Sequence, residues 1–226
     1  MQCIILAAGK GSRLRPITDT IPKPLVKVDG KTLMDHVVGA LPSSIKELII
    51  VVGYKGDMIR EYCGDSFYGR PVTYLEQKEI NGPAKALWLA KDLIKGRFLF
   101  MFADDIHGRD DMARAVSYSR SILATTSDTP ERFGVIVRNP DGTIADMVEK
   151  PSSPSSNLVA TGPMVLDQHI FDFAPEAPIN GEYFMPEIIM RYKEKYPMAV
   201  VEENFWLAIG YPEDLEKAEK KIQSLS

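Results

Sequence analysis

The chain has 226 residues and a formal net charge of −4 at pH 7, with 27 Lys and Arg against 31 Asp and Glu. This length suits a single domain, which we assign to residues 1–226, and the acidic balance argues against nucleic acid as a partner. No apolar run approaches the roughly 18–20 residues of a membrane span, and the two cysteines are not spaced as a disulfide framework or a metal knuckle. We therefore expect a cytoplasmic protein with no membrane partner, and the composition leaves a homo-oligomer open.

Three continuous apolar runs have the length of strands that are buried on both faces: QCIILAA, ELIIVVG and RFLFMF. Helical patterns lie between them, near residues 33–41, near residues 55–62 and over GPAKALWLAKDLI. This alternation predicts an α/β protein with a mixed, mostly parallel central sheet and helices on both faces.

The second half of the chain is richer in strands. FGVIVRN and TIADMVE flank the turn sequence PDG and predict a β-hairpin, whereas PSSPSSN is a loop by composition. YPEDLEKAEKKI predicts a helix, with Pro212 in its first turn, acidic residues at its positive end, and Lys220 and Lys221 at its negative end.

The turn after the first strand, LAAGKGSRLRP, concentrates positive charge. Residues 1–31 contain six Lys or Arg against two Asp, a surplus of four in a chain whose net charge is −4. Gly9 and Gly11 let the backbone approach a ligand at the carboxyl end of a strand, where backbone N–H groups form an anion site. A dinucleotide fingerprint would need glycine where Leu14 stands, and no P-loop is present. A phosphate site of another kind and a solvated charged face remain as interpretations.

The next segment, ITDTIPKPLVKV, places Lys23 between Pro22 and Pro24. Proline biases the preceding residue towards extended geometry and removes its own donor, so we expect Lys23 in a stiffened, non-helical backbone. A lysine that binds phosphate gains from this restraint because it loses less freedom on binding. The segment therefore favours the phosphate site.

The third apolar strand ends in FADD, and two aspartates there would be costly in a mere core. Adjacent strand residues point to opposite faces, so only one of Asp104 and Asp105 should face a ligand, where its carboxylate would suit Mg²⁺. The other would cap the following turn. His36, His107 and His169 lack metal-ligand spacing, and we expect them in surface or capping roles.

Taken together, these stretches resemble the signature of the sugar-1-phosphate nucleotidylyltransferases, in particular the glucose-1-phosphate thymidylyl- and uridylyltransferases. LAAGKGSRLRPITDTIPKPLVKV is similar to L-A-A-G-x-G-[ST]-R-L-x-P-x-T followed by P-K-x-L. The family's later motifs are resembled, in order, by YLEQKEINGPAKAL, FLFMFADDIHG, ERFGVIVRNPDGTIADMVEKP, NLVATGPMVLD and FWLAIGYPEDL. The resemblance implies a Rossmann-like nucleotidyltransferase fold whose residues 1–120 bind the nucleotide and whose residues 121–226 bind the sugar.

The resemblance also implies a reaction: an NTP, with UTP or dTTP favoured, gives its nucleoside monophosphate to a sugar 1-phosphate, with glucose 1-phosphate favoured, and pyrophosphate leaves. The attacking phosphate is already an anion, so the catalytic problem is electrostatic. By register with the family, the catalytic residues are Arg13, Lys23 and Asp104, with Asp104 as the ligand of Mg²⁺. The nucleotide-binding residues are Leu6, Ala8, Gly9, Gly11, Ser12, Arg13, Gln77 and Gly82. The sugar-phosphate-binding residues are Gly134, Glu149, Lys150, Thr161 and Gly162.

Four positions depart from the family pattern. Ala103 replaces a glycine, Pro83 replaces a threonine or serine beside the base, and Met164 stands where a tyrosine is frequent. The strongest departure is Ala208, which aligns with the second metal aspartate. Asp104 would then hold the ion with only the triphosphate and water, and we expect weaker but sufficient metal binding.

The Gln77 side chain offers a donor and an acceptor, which is complementary to the imide edge of uracil or thymine. No residue of the sequence distinguishes these two bases from each other.

Two other classes of protein stay open. One is a catalytically impaired nucleotide-sugar-binding or regulatory protein on the same fold, motivated by the departures. The other is a dinucleotide-binding oxidoreductase, which the missing third glycine disfavours. A phosphocholine-type cytidylyltransferase is less compatible because EKP favours a sugar.

Overall fold

The computed structural model describes residues 1–225. Its strands are β1 (Gln2–Ala7), β2 (Lys27–Val28), β3 (Lys31–Thr32), β4 (Glu47–Val52), β5 (Ser66–Phe67), β6 (Arg70–Glu76), β7 (Arg97–Phe102), β8 (Ile106–His107), β9 (Ser121–Thr126), β10 (Gly134–Arg138), β11 (Ile144–Glu149), β12 (Leu158–Asp167), β13 (Ala199–Glu202) and β14 (Trp206–Leu207). Its α-helices are α1 (Ile17–Thr20), α2 (Leu33–Gly39), α3 (Gly56–Cys63), α4 (Pro83–Trp88), α5 (Arg109–Ser117), α6 (Met185–Lys193) and α7 (Pro212–Gln223). No helix within residues 1–225 is long and apolar enough to cross a membrane.

One large sheet runs in the order β11-β10-β12-β7-β1-β4-β6-β5. The strands β7, β1, β4 and β6 pair in parallel, as their buried apolar sequences predict. Strand β12 joins β7 in the antiparallel sense, and β9 bridges β12 to β13. A strand of the second half of the chain therefore pairs directly with one of the first half. The predicted α/β fold with a mixed central sheet is confirmed.

Alternating side chains of β1 enter two separate cores. Ile4 and Leu6 pack on one face with residues of α4 and α6. Cys3, Ile5 and Ala7 pack on the other with residues of α2, α3 and α5. Helices therefore cover both faces of the sheet, as predicted. Both cysteines are free and buried.

A third, smaller core lies at the carboxyl ends of the central strands. It joins the turn after β1 to β8, to the loop after β14 and to α7, through Leu14, Val26, Val28, Leu33, Ile106, Ile209 and Ala218. This core holds the basic turn and the segment around residue 208 against the same side of the sheet. The sequence motifs of the two ends of the chain are thereby brought together.

Local predictions are largely confirmed. Strands β10 and β11 form the expected antiparallel hairpin, α7 covers the expected residues, and residues 151–157 form no helix or strand. The helix predicted over residues 82–94 is shorter, because α4 ends at Trp88 and continues as turns with i→i+3 hydrogen bonds. These tighter turns keep Leu87, Ala90 and Ile94 in the core at a spacing that a helix would also satisfy.

His107 corrects another expectation, since a surface or capping role was predicted for it. Its side chain lies in β8 and is only 2% exposed, and Nδ1 is 2.8 Å from Oε1 of Glu203, which is itself fully buried. The strand that carries His107, β8, pairs with β14 and follows Asp104 closely in the sequence. The prediction was wrong because a histidine that meets a distant carboxylate carries no local sequence signal.

Candidate active site

Two adjoining cavities open at the carboxyl ends of β1 and β7. The first has a volume of about 480 Å³ and the second of about 630 Å³. The residues that line both are Arg13, Lys23, Pro83, Phe102, Asp104, Glu182 and Gly210. The two cavities therefore meet at two cationic side chains and two carboxylates.

The structure brings every residue predicted from the sequence to one of these cavities. The first cavity is lined by Leu6, Ala8, Gly9, Gly11, Ser12, Arg13, Gln77 and Gly82. The second cavity is lined by Gly134, Glu149, Lys150, Thr161 and Gly162. The two cavities match the predicted nucleotide-binding and sugar-phosphate-binding groups of residues, with Arg13, Lys23 and Asp104 at the boundary.

The basic turn has a backbone that only glycine fits well at position 11. Gly11 has a φ of +61°, and a Cβ there would lie 3.0 Å from both Lys23 Cβ and Thr18 Cγ2. Thr18 Oγ1 donates to the carbonyl of Gly11 at 2.9 Å, and Leu14 N donates to the same carbonyl at 2.9 Å. A Cβ at Gly9 would have no heavy atom within 4 Å. The turn is therefore tightly packed at Gly11 and open to a ligand at Gly9.

The backbone predicted for Lys23 was wrong, but its side chain is held in place as expected. It begins a short 3₁₀ helix, Lys23–Leu25, rather than an extended segment. The preference of a residue before proline for extended geometry is overridden here, and the restraint comes from tertiary contacts instead. The Lys23 side chain is 12% exposed, and Nζ donates to Asp104 Oδ2 at 2.9 Å. This cation is therefore directed at the boundary of the two cavities.

The two adjacent aspartates have different roles. The Asp104 side chain is 41% exposed and lines both cavities. Asp105 is partly buried and accepts hydrogen bonds from Trp206 Nε1 and Ile209 N, each at 3.0 Å. Desolvation, followed by the charge of Asp104, raises the pKa of Asp105 to about 6. The predicted capping of the next turn is wrong, because Asp105 instead holds the distant segment around β14.

The loop between β6 and α4 contains Gln77, which is 7% exposed. Its Nε2 donates to the Gly82 carbonyl at 3.1 Å and to Asn81 Oδ1 at 3.2 Å. Gly82 has a φ of +103°, and a Cβ there would lie 2.5 Å from both N and O of Tyr183. Pro83 begins α4, a position where its missing N–H costs nothing. The departure from the family pattern at Pro83 thus has a local structural reason.

The second cavity is built from separate strands. Gly134 in β10 is paired with Glu149 at the end of β11, so both face the cavity from one hairpin. Lys150 follows with a φ of +43°, and its Nζ lies 3.3 Å from Glu149 Oε1. Thr161 and Gly162 lie at an irregularity of β12, between Ala160 and Met164, where the register with β9 shifts.

Two aromatic and cationic contacts of this cavity were missed from the sequence. Tyr211 has the guanidinium carbon of Arg13 at 5.6 Å from its ring centroid and that of Arg132 at 5.1 Å. Its backbone N–H donates to Asp214 Oδ2 at 2.8 Å, which fixes the start of α7. Arg132 lies within the quoted ERFGV motif, and this was the available signal, but nothing in one sequence places it near residue 211.

The arrangement of carboxylates limits how a metal ion could bind. Ala208 lines the second cavity, as Asp104 does, but supplies no ligand, and Asp105 accepts hydrogen bonds from two donors. Within residues 1–225, no group of three or more His, Cys, Asp or Glu side chains is placed to hold a metal ion. Asp104, which meets both cavities together with Glu182, is therefore the predicted ligand of a divalent cation that would complete its shell with substrate phosphates and water, which is how Mg²⁺ is usually bound.

Comparison with known proteins agrees with this geometry. The family model described as nucleotidyl transferase matches residues 2–224, and the chain belongs to that family. It is 37% identical to a UTP–glucose-1-phosphate uridylyltransferase, AglF, of Haloferax volcanii, over 99% of this chain and 97% of that protein. It is 33% identical to the bifunctional protein GlmU of Methanocaldococcus jannaschii over 98% of this chain, which spans about half (54%) of that relative's length.

Solved structures show the same fold. A Bacillus anthracis structure described as a glucose-1-phosphate thymidylyltransferase in complex with sucrose superimposes with a TM-score of 0.89 at 28% identity, covering 100% of this chain and 96% of the other. A UDP-glucose pyrophosphorylase complexed with UDP-glucose superimposes with a TM-score of 0.84 at 24% identity, covering 100% and 99%. Enzymes of the nucleotidyltransferase family generally use a divalent metal ion. Because the chain belongs to the nucleotidyl transferase family, the alternative of a dinucleotide-binding oxidoreductase is excluded.

Proposed function

We propose that this protein transfers UMP or dTMP from the triphosphate to glucose 1-phosphate and releases pyrophosphate. The observation that carries the proposal is the junction of two cavities at Arg13, Lys23 and Asp104. One cavity is lined by the glycine turn and by the loop that carries Gln77, and the other by the Glu149 carboxylate, the Lys150 ammonium and strand backbone. The relative from Haloferax volcanii, named for UTP and glucose 1-phosphate, supports this choice of substrates.

In the proposed reaction, an oxygen of the sugar phosphate forms a bond to the α-phosphorus of the triphosphate. The bond from that phosphorus to the bridging α,β-oxygen breaks, and the electron pair leaves with pyrophosphate. The nucleophile is already anionic, so no general base is needed. Catalysis consists of holding two polyanions together and stabilising charge on the leaving group.

The cations at the junction meet this requirement. Arg13 belongs to the basic turn, and its guanidinium carbon lies 5.6 Å from the centroid of the Tyr211 ring. Lys23 is held against Asp104 before substrates bind, so the ammonium is already oriented when charge develops on the leaving oxygen. The Glu149 carboxylate would accept hydrogen bonds from sugar hydroxyls, and the Lys150 ammonium would pair with the sugar phosphate. Mg²⁺ is the cation we propose for Asp104, and when bound it would neutralise part of the phosphate charge.

A pyrophosphate-release assay tests the proposal directly. UTP, dTTP, CTP, ATP and GTP are each combined with glucose, galactose and N-acetylglucosamine 1-phosphates in the presence of Mg²⁺. We expect the highest kcat/KM with UTP or dTTP and glucose 1-phosphate. No pyrophosphate above background with any pair would contradict the enzyme. A cytoplasmic location, predicted from the sequence, suits this proposal because both substrates are cytoplasmic metabolites.

One observation favours a second candidate, a nucleotide-sugar-binding protein without turnover. Ala208 removes a carboxylate from the place where the family resemblance implies a metal ligand. Binding of UTP or UDP-glucose without any release of pyrophosphate would support this candidate. We favour the enzyme because the cations and carboxylates of both cavities remain together.

A further inference from the structure

Arg132 is a cation of the second cavity that the proposed function does not use. It ends the short 3₁₀ helix Pro130–Arg132, directly before β10, and it lines the second cavity but not the first. Its guanidinium carbon lies 5.1 Å from the centroid of the Tyr211 ring. Within the part of the chain that the structure describes, Arg132 forms no ion pair with a carboxylate. Arg132 therefore brings an uncompensated positive charge to this cavity.

The Tyr211 ring places a second guanidinium close to the first. The guanidinium carbon of Arg13 lies 5.6 Å from the same ring centroid, and among residues 1–225 Arg13 likewise forms no ion pair. A cation is attracted to the face of an aromatic ring, but two cations at one ring repel each other. An anion bound between the two guanidinium groups would relieve this repulsion. The arrangement therefore indicates an anion site on the second-cavity side of the junction.

Lys150, the predicted partner of the sugar phosphate, lies at the same end of the β10–β11 hairpin. Its backbone N–H donates to the Phe133 carbonyl at 2.9 Å, which joins it to the residue that follows Arg132. Its ammonium already lies 3.3 Å from Glu149 Oε1 and 5.8 Å from the centroid of the Phe184 ring. The charge of Lys150 is therefore partly compensated before any ligand binds, whereas the charge of Arg132 is not.

The anion that fits beside Arg132 is the phosphate group of the sugar 1-phosphate. Arg132 does not line the first cavity, so a triphosphate held there would not account for its placement. A guanidinium can donate two parallel hydrogen bonds to two oxygens of one phosphate group. A sugar 1-phosphate has three terminal oxygens, so two held by Arg132 would leave the third free to attack the α-phosphorus. Binding would then also orient the nucleophile.

We propose that Arg132 binds the phosphate group of the sugar 1-phosphate and that Tyr211 is the positioning residue that directs its guanidinium. The inference rests on the proposed function, since it adds a substrate contact to the same site. Tyr211 is half-buried and its backbone N–H donates to Asp214 Oδ2 at 2.8 Å, so its ring offers a held surface to the exposed Arg132 side chain. A side chain that is held before binding loses less conformational freedom when the ligand arrives.

The test compares Arg132→Gln and Arg132→Lys with the wild-type protein. Calorimetry measures the Kd of glucose 1-phosphate, with and without a non-hydrolysable α,β-methylene analogue of UTP, and steady-state kinetics measures KM for each substrate. We expect Arg132→Gln to raise the Kd and the KM for glucose 1-phosphate by about 10–100-fold, the usual cost of losing a charged hydrogen-bond donor. The Kd of the UTP analogue should stay unchanged. Arg132→Lys should recover only part of the loss, because an ammonium cannot donate the paired hydrogen bonds.

Two variants at position 211 test the positioning role. Tyr211→Phe keeps the ring and should bind glucose 1-phosphate as the wild-type protein does. Tyr211→Leu removes the ring and should raise this Kd severalfold, but it should add little in the Arg132→Gln background, because the two side chains act together. A general structural effect of Tyr211→Leu would instead add in full to the loss in Arg132→Gln, and this result would remove Tyr211 from the proposed role.

Arg138→Gln is the matched control. Arg138 lies at the other end of β10, lines neither of the two cavities, and pairs with Glu202 Oε1 at 2.7 Å. This variant should keep the wild-type Kd and KM. An unchanged Kd for glucose 1-phosphate in Arg132→Gln, or an equal weakening of glucose 1-phosphate and the UTP analogue, would overturn the inference.

The binding measurements also separate this inference from the proposed function. A wild-type protein that binds none of glucose, galactose and N-acetylglucosamine 1-phosphates would overturn the role of Arg132. If the wild-type protein binds glucose 1-phosphate but releases no pyrophosphate, the proposed function fails, while the Kd values still decide the role of Arg132.

Discussion

The two cavities differ in how the chain builds them. Much of the lining of the first comes from one short stretch, residues 6–14, and its base loop spans residues 77–83. The second draws on separate segments, residues 132–134, 147–150, 160–164, 182–186 and 206–214. The first cavity can therefore be recognised in the sequence as a motif. The residues of the second cavity come together only when the sheet has formed.

The departures from the family pattern fall unequally on the two sides. Met164 and Ala208 line only the second cavity, Ala103 lines only the first, and Pro83 lies where both meet. No departure falls within residues 6–14 of the first cavity. A triphosphate presents the same phosphates whatever the base or sugar, so the features that distinguish substrates should concentrate elsewhere. The predictions below test whether the two sides act separately.

The largest effect is expected from Lys23→Ala at the junction. Removing the oriented ammonium should lower kcat by about 10²–10³-fold, the usual cost of deleting one group that stabilises transition-state charge. The KM for glucose 1-phosphate should change much less, because the second cavity keeps Lys150. Steady-state kinetics of pyrophosphate release with both substrates varied would measure this.

The control for this variant is Arg15→Ala. Arg15 lies in the same basic stretch, but its side chain is exposed, and among residues 1–225 its ion pair is with Asp19, at 3.0 Å. An exposed pair of this kind contributes little, so we expect wild-type kinetics. Equal losses in the two variants would show that bulk positive charge, and not the placed lysine, assists the reaction.

An intermediate effect is expected from Gly82→Ala, which perturbs the contact between the two sides. The new Cβ would lie 2.5 Å from the backbone of Tyr183 and must push the loop before α6 away from the base loop. We expect KM for both substrates to rise about tenfold and the free energy of unfolding to fall by about 2 kcal/mol. Kinetics and urea unfolding would measure the two changes.

Gly96→Ala separates steric conflict from backbone strain. Gly96 has a similar φ of +80°, but a Cβ there meets nothing within 4 Å. Its cost should be only the left-handed strain, about 1 kcal/mol, with kinetics unchanged. If Gly82→Ala behaves like Gly96→Ala, the two cavities are not coupled through Tyr183.

The contrast between contiguous and separate segments also explains which features could be predicted from the sequence. The parallel strands, the β10–β11 hairpin and α7 follow from local patterns, and the basic turn is continuous in sequence. The 3₁₀ turn at Lys23 and the role of Asp105 could not be predicted, because both depend on partners far along the chain. Asp105 meets Trp206 and Ile209 only after β8 pairs with β14.

The smallest effect, and the sharpest test of the second cavity, is expected from Ala208→Asp. The substitution adds a carboxylate to the cavity that Asp104 and Asp105 also line. Without a cation, this cluster of like charges should lower the Tm. Added Mg²⁺ should restore the Tm by more than in the wild-type protein, and half-maximal activity should need a severalfold lower Mg²⁺ concentration.

Two further variants decide between metal binding and a general effect of the substitution. Ala208→Asn adds an oxygen ligand without the charge, so it should show little loss of Tm and a smaller gain in Mg²⁺ affinity. Asp104→Asn should remove most of the response of activity to Mg²⁺ in both the wild-type and the Ala208→Asp backgrounds, because Asp104 is the predicted metal ligand where the two cavities meet. Full activity of Asp104→Asn would remove Asp104 from the proposed metal site. An Ala208→Asp protein whose Tm and activity respond to Mg²⁺ as the wild-type protein does would mean that the ion is held away from residue 208.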